Sequence, residues 1–177
     1  AEADPTFDVE GIDAAHKLAI LASVAFGVPL QFEKTFTEGI SKISTVDVNN
    51  AEELGYRIKH LGIARRQTEG FELRVHPTLI PEQQLIAKVD GVMNSVLVDG
   101  DAVGQTLYYG AGAGSEATAS AVIADIVDIA RTLGSSAGVT VPYLGFAPDM
   151  MQDLSVIPIE DIISAYYLRI TAEDHPG

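Results

Sequence analysis

The hydrophobic period of this chain changes at Tyr56, and that change does most to limit what it can fold into. Before it, an apolar run from Leu18 to Phe26 follows Lys17, and Phe32, Phe36, Ile40 and Ile43 keep near-helical spacing. After it, Phe71, Leu73 and Val75 alternate with Glu72, Arg74 and His76, the pattern of a half-buried strand. A second alternating stretch, Val92, Asn94, Val96 and Val98, leads to Asp99-Gly100-Asp101. An Asp-Gly pair there readily supplies the positive backbone dihedrals of a hairpin turn. A helix is then expected from about Ala117 to Leu133, with Val122, Ile126, Ile129 and Leu133 on its buried face. Helix, hairpin-linked strands, helix: this order gives an α+β fold, a mixed, largely antiparallel sheet covered on one face by helices.

Local signals fill in the elements. A helix is expected from about Gly11 to Phe26, with Asp8 able to cap its beginning and Gly27-Val28-Pro29 ending it. Val46 to Leu54 suggests a short helix with Asp47 or Asn49 near its start, stopped by Gly55. Ile58, Leu61 and Ile63 lie among basic residues, and Glu69-Gly70 makes a turn. Arg57, Lys59, Arg65, Arg66 and Arg74 are read as one solvated face of a strand pair, the alternative being an anion-facing patch. Pro77 and Pro81 bracket Thr78-Leu79-Ile80, and further strands are expected at Ala102 to Tyr109 and Tyr166 to Ala172.

Composition removes several classes of function. A formal charge of −14 would repel nucleic acid and anionic membranes, so neither is an expected partner. With no cysteine, disulfides, thiolate metal sites and thiol nucleophiles are excluded. So is an aldehyde-oxidising mechanism that passes through a thiohemiacetal, whereas hydride exchange between an alcohol and an aldehyde stays open. No apolar run is long enough to span a bilayer, and the N-terminus lacks the basic region of a signal peptide, which makes the cytoplasm the default expectation. At 177 residues and 47% apolar content the chain suits one domain with a real core, with room for a fragment of a neighbour.

Lys17 is the residue that most suggests chemistry. It stands near the start of an apolar helix, and Asp13 lies four residues earlier on the same face. An ordinary helix salt bridge is one reading. The other is a partly desolvated lysine whose pKa falls toward working pH while a carboxylate keeps it from losing its proton too early. Glu2, Asp4 and Asp8 read either as a solvated acidic loop or as further members of a site, and Asp8 also as a cap. Gly110-Ala111-Gly112-Ala113-Gly114 is not a Gly-x-Gly-x-x-Gly fingerprint, and no βαβ unit follows it. By itself it reads as a flexible strand-to-helix turn or as a backbone that a ligand can approach. Gly134-Ser135-Ser136-Ala137-Gly138 fits Gly-x-Ser-x-Gly formally, but a helix precedes it instead of a strand, so a helix exit is expected. His16, His60, His76 and His175 lack metal-ligand spacing; structural roles and no metal site are expected.

Asp4-Pro5, Asp8-Val9, Gly11, Asp13 and Lys17, at this spacing, resemble the signature of homoserine dehydrogenases. The likeness continues through Leu61-Gly62-Ile63-Ala64, His76-Pro77-Thr78-Leu79-Ile80, Val89-Asp90-Gly91-Val92, and Gly110 to Gly114 followed by Ala117-Thr118-Ala119-Ser120-Ala121. Tyr166-Tyr167-Leu168-Arg169 and Asp174-His175-Pro176-Gly177 are similar to the first strand of an ACT regulatory domain. The resemblance implies a catalytic and dimerisation domain over residues 1–165, of the glyceraldehyde-3-phosphate dehydrogenase-like C-terminal type. It implies the start of a truncated ACT domain over 166–177, and a Rossmann domain upstream of the chain. The implied reaction is reversible reduction of aspartate semialdehyde to homoserine by NADPH or NADH, in threonine, methionine and isoleucine synthesis. In the implied roles Lys17 donates the proton, Asp13 orients it, and Glu2 and Asp8 bind substrate. Gly110, Gly112 and Gly114 face the nicotinamide end of the cofactor. A homodimer or higher homo-oligomer is expected, and the isolated fragment is expected to be inactive. A non-catalytic dimerisation scaffold, or a related two-domain dehydrogenase, is the alternative.

Overall fold

The computed structural model describes residues 4–133, 142 and 144–172, so Glu2, the Gly134–Gly138 stretch and His175 lie outside the described residues. The described residues fall into two units: one runs to Pro81 and resumes with 144–172, the other runs from Glu82 to Pro142.

The first unit contains α1 (Thr6–Val9), α2 (Ile12–Phe26), β1 (Phe36–Thr37), α3 (Thr45–Glu53), β2 (Tyr56–Arg66) and β3 (Phe71–Pro81). Its sheet has the order β1-β3-β2. β2 and β3 pair antiparallel without a break from Tyr56↔Pro81 to Arg66↔Phe71, and β1 pairs parallel with Arg74 and Val75. The hairpin closes where the Gln67 N–H donates to the Gly70 carbonyl at 2.9 Å. Ala15, Leu18 and Ala22 of α2 pack with Phe71, Leu73 and Val75 of β3 and with Val28 to form the core. Gly62 on β2 lets the helix sit close, because a Cβ there would lie 3.2 Å from the Leu18 side chain. Pro77 is an interior residue of β3, not a bracket beside it. Val75 turns its carbonyl away from β2 toward the Glu38 N–H (2.8 Å). Pro77, two residues on, shares that orientation, so its missing N–H removes no bond of the β2–β3 ladder.

Several sequence expectations are corrected here. α2 begins at Ile12 behind Gly11, and Asp8 lies inside the short α1 instead of capping α2. The turn at Gly11 (φ 78°) separates the two helices, a conformation glycine adopts without penalty. The near-helical spacing of Phe32, Phe36, Ile40 and Ile43, in a stretch read as a mixed segment, does not make a helix over 32–43. These residues make a 3₁₀ turn at Phe32–Lys34 and then β1, because β3 offers a free edge and tertiary pairing overrides local spacing. Glu72 and Arg74 are buried, not solvated, although they alternate with the core residues. Arg74 meets Glu72 through Nη2 (2.9 Å) and Nε (3.0 Å), and Gln67 donates to the same carboxylate. Burial is tolerable because the charges are paired and hydrogen-bonded. Arg74 is therefore not part of a solvated basic face. Tyr166–Ala172 forms no strand. It is held through side chains, with the Tyr167 hydroxyl donating to Asp47 Oδ1 (3.2 Å) and Arg169 Nε paired with the same oxygen (2.8 Å).

The second unit contains the hairpin β4 (Met93–Gly100) and β5 (Gly104–Ala111), followed by α4 (Ser115–Leu133). The register runs from Met93↔Ala111 to Gly100↔Gly104. The loop spans residues 101–103 and the positive φ falls on Gly104 (71°), not on the Asp99-Gly100 pair expected to make the turn. α4 has no buried residue. Val122, Ile126, Ile129 and Leu133, expected on a buried face, are all exposed, since the described residues cover only part of the apolar surface that periodicity marks. The architecture is α+β, with its strands divided between a mixed three-stranded sheet and an antiparallel hairpin.

Candidate active site

The acidic N-terminal residues take distinct places. Asp4 accepts from the Thr6 N–H (3.0 Å) and hydroxyl (2.6 Å), which starts α1 and holds the Asp4 carboxyl below its ordinary pKa. Asp8 lies exposed on α1. After Gly11, α2 carries Asp13 in its first turn and Lys17 one turn later. Lys17 Nζ donates to Asp13 Oδ2 at 2.6 Å, a short charge-assisted bond. The Lys17 side chain is 59% exposed and that of Asp13 38%. The pairing read from the sequence is thus present. The desolvation read with it is not, because no described residue covers the ammonium to that extent.

The two helices are tied together on both sides of Gly11. The His16 ring stacks on Phe32 with centroids 3.8 Å apart and on Phe7 of α1 at 5.9 Å. The Ile40 N–H donates to the Val9 carbonyl (2.9 Å), and His60 Nε2 lies 2.9 Å from the Glu38 carbonyl. Sequence reasoning set His60 aside as a scattered histidine, and nothing local could have shown that β2 would bring it beneath Gly11.

A second polar cluster gathers at the start of α3. Ser44 and Asp47 form a reciprocal capping box, in which the Ser44 N–H donates to Asp47 Oδ2 (3.0 Å) and the Ser44 hydroxyl to the same oxygen (2.6 Å). Those bonds, with Tyr167 and Arg169, outweigh burial and lower the Asp47 carboxyl to about 2. Asn50 donates to the Tyr167 hydroxyl at 3.1 Å. Asp47 is thus the third residue of the helix, near its start as expected, and Ser44 is the cap.

The glycine run lies in the second unit. Gly110 is in β5 opposite Asn94, the Gly112 N–H donates to the Val92 carbonyl (3.2 Å), and Gly114 (φ 133°) precedes α4. At Gly112 the Asn94 side chain occupies the place a Cβ would take, so a larger residue there would have to turn that exposed side chain aside. Gly110 and Gly114 have no atom within 4 Å of where a Cβ would sit, so this backbone is open to a planar group. β5 is antiparallel to β4, so the turn is not a dinucleotide-binding βαβ crossover. Among the described residues no group of three or more His, Asp or Glu is placed to hold a metal ion, and no helix is long and apolar enough to cross a membrane.

Comparison with known proteins follows the same line. The sequence profile of the homoserine dehydrogenase family matches residues 1–127. The whole chain is 68% identical to a homoserine dehydrogenase of Pseudomonas aeruginosa and spans 41% of that protein. The fold is similar to the crystal structure of a homoserine dehydrogenase from Thiobacillus denitrificans, with a TM-score of 0.87 and 65% identity over 92% of this chain and 38% of that one. It is also similar to a hyperthermophilic archaeal homoserine dehydrogenase in complex with NADPH, with a TM-score of 0.57 and 26% identity over 74% of this chain and 36% of that one.

Proposed function

The chain belongs to the homoserine dehydrogenase family, and from that premise we propose that it supplies the substrate-handling and assembly portion of an NAD(P)H-dependent homoserine dehydrogenase. The proposed reaction interconverts aspartate semialdehyde and homoserine, on the route to threonine, methionine and isoleucine, in the cytoplasm. The chain spans about 41% of the relatives' length, so turnover belongs to the full-length enzyme.

The Lys17–Asp13 pair at 2.6 Å carries this reading. In reduction, the Lys17 ammonium gives a proton to the carbonyl oxygen. In oxidation, the free amine takes it from the hydroxyl. Asp13 fixes where the nitrogen points and favours its charged form until transfer. Asp8, on the preceding helix, is proposed to bind the substrate's polar groups. Glu2, outside the described residues, is proposed to pair with the substrate ammonium. Gly110, Gly112 and Gly114 are proposed to face the nicotinamide end of the cofactor, which when bound supplies the hydride; the open backbone at Gly110 and Gly114 suits that role. In the full-length enzyme, Lys17→Ala is expected to lower kcat for homoserine oxidation by roughly 10²–10⁴-fold. Activity near wild type would end the assignment.

A second role is favoured by the exposed apolar residues of α4 and the hairpin, among them Ile126, Ile129, Leu133, Tyr108 and Tyr109. We propose that this surface forms the contact of a homodimer, since so large an apolar face is rarely left to water. Residues 166–177 are proposed as the start of the ACT regulatory module.

A further inference from the structure

We infer that His60 is a positioning residue for the Asp13–Lys17 pair on α2 and for Asp8 on α1, acting through Gly11; this rests on the proposed proton-transfer role of Lys17. Gly11 is the only residue between α1 and the Glu10-capped end of that helix on one side and α2 on the other that takes a positive φ, so its conformation sets the angle between the helices carrying Asp8 and Lys17. The His60 imidazole packs directly on it. A Cβ at position 11 would lie 2.7 Å from His60 Cε1 and 2.9 Å from Nε2. The ring is itself fixed, because Nε2 lies 2.9 Å from the Glu38 carbonyl, and a carbonyl only accepts, so that nitrogen carries a hydrogen.

The segment that fixes the ring also holds the end of α1. The Ile40 N–H donates to the Val9 carbonyl (2.9 Å), and a Cβ on Gly39 would come within 2.7 Å of the Glu10 Cα and the Val9 oxygen. The Glu38 N–H in turn donates to Val75 in β3 at 2.8 Å. A rigid sheet therefore sets the Gly11 turn from two sides, through His60 on β2 and through residues 38–40. Fixing catalytic groups from a rigid element matters because a displacement of about 1 Å can cost roughly 100-fold in rate.

The test is steady-state kinetics on the full-length enzyme. His60→Asn is too short to reach the Glu38 carbonyl, His60→Gln can restore the donor, and Gly39→Ala presses on the same turn from the other side. We expect His60→Asn and Gly39→Ala to lower kcat by about tenfold to 100-fold, with the homoserine KM moving much less, and His60→Gln to recover most of the loss. A His60→Asn enzyme with a native melting curve and unchanged kcat would overturn the inference, as would a Gln variant no better than Asn. If Asn fails to fold, Gly39→Ala decides by the same criterion. Lys17→Ala is run alongside. If it leaves turnover intact, the proton-transfer reading itself falls; if it abolishes turnover while the folded His60 and Gly39 variants keep the wild-type kcat, only this inference falls.

Discussion

At the scale of single residues, the Glu72–Arg74 pair is a buried ion pair in the sheet of the first unit. Its side chains are 1% and 7% exposed, so removing one partner leaves the other charge in a low-dielectric setting. Arg74→Met is expected to destabilise the full-length enzyme by about 3 kcal/mol in urea unfolding, and Glu72→Met combined with it to restore most of that. A double variant no better than the single one would show that packing, not charge, governs the site. Gly11→Ala is expected to fail for a different reason. It demands a positive φ and meets the His60 ring, so both melting temperature and kcat should fall. Asp13 and Lys17 were legible in the sequence because an i, i+4 pair needs nothing beyond helix geometry. The burial of Glu72 and Arg74 was not, because alternation says which residues share a face, not what covers it.

At the scale of elements, the first turn of α3 does two jobs with one carboxylate. Asp47 completes the capping box with Ser44 and also holds Tyr167 and Arg169 from far along the chain. Ser44→Ala should cost about 1 kcal/mol, read from the unfolding midpoint. The Asp47 carboxyl is lowered from 3.8 to about 2, so its charged form favours the folded state. That stability is fully present above the unfolded pKa, and it is lost as pH falls from about 4 toward 2. Asp47→Asn should therefore flatten the acid dependence of the urea midpoint over that window. A variant with the wild-type slope would assign the acid sensitivity to other carboxylates. The strand expected at Tyr166–Ala172 fails for the same cause: it is pinned by side chains, and long-range partners such as Asp47 leave no local trace in sequence.

At the scale of the whole molecule, the α+β class followed from the change of period, and the family from motifs spread along the chain. The proposed assembly surface did not, because the apolar period of α4 looks the same whether its cover is intramolecular or another subunit. Ile126→Glu is expected to shift the full-length enzyme toward monomer in sedimentation velocity, and an unchanged distribution would place the dimer contact elsewhere. The isolated chain should bind NADPH too weakly to measure by titration calorimetry, and tight binding would contradict the proposed role of a portion that depends on a separate nucleotide domain. The placement of Pro77 and Pro81 bears on how such a chain survives in concentrated solution. Both face the side of β3 that, among the described residues, carries no paired strand beyond Val75, where a stray polypeptide would look for donors and find two vacant rungs. Prolines there act as a stop on fibre-like growth, and replacing both with valine would turn a sealed border into a sticky one.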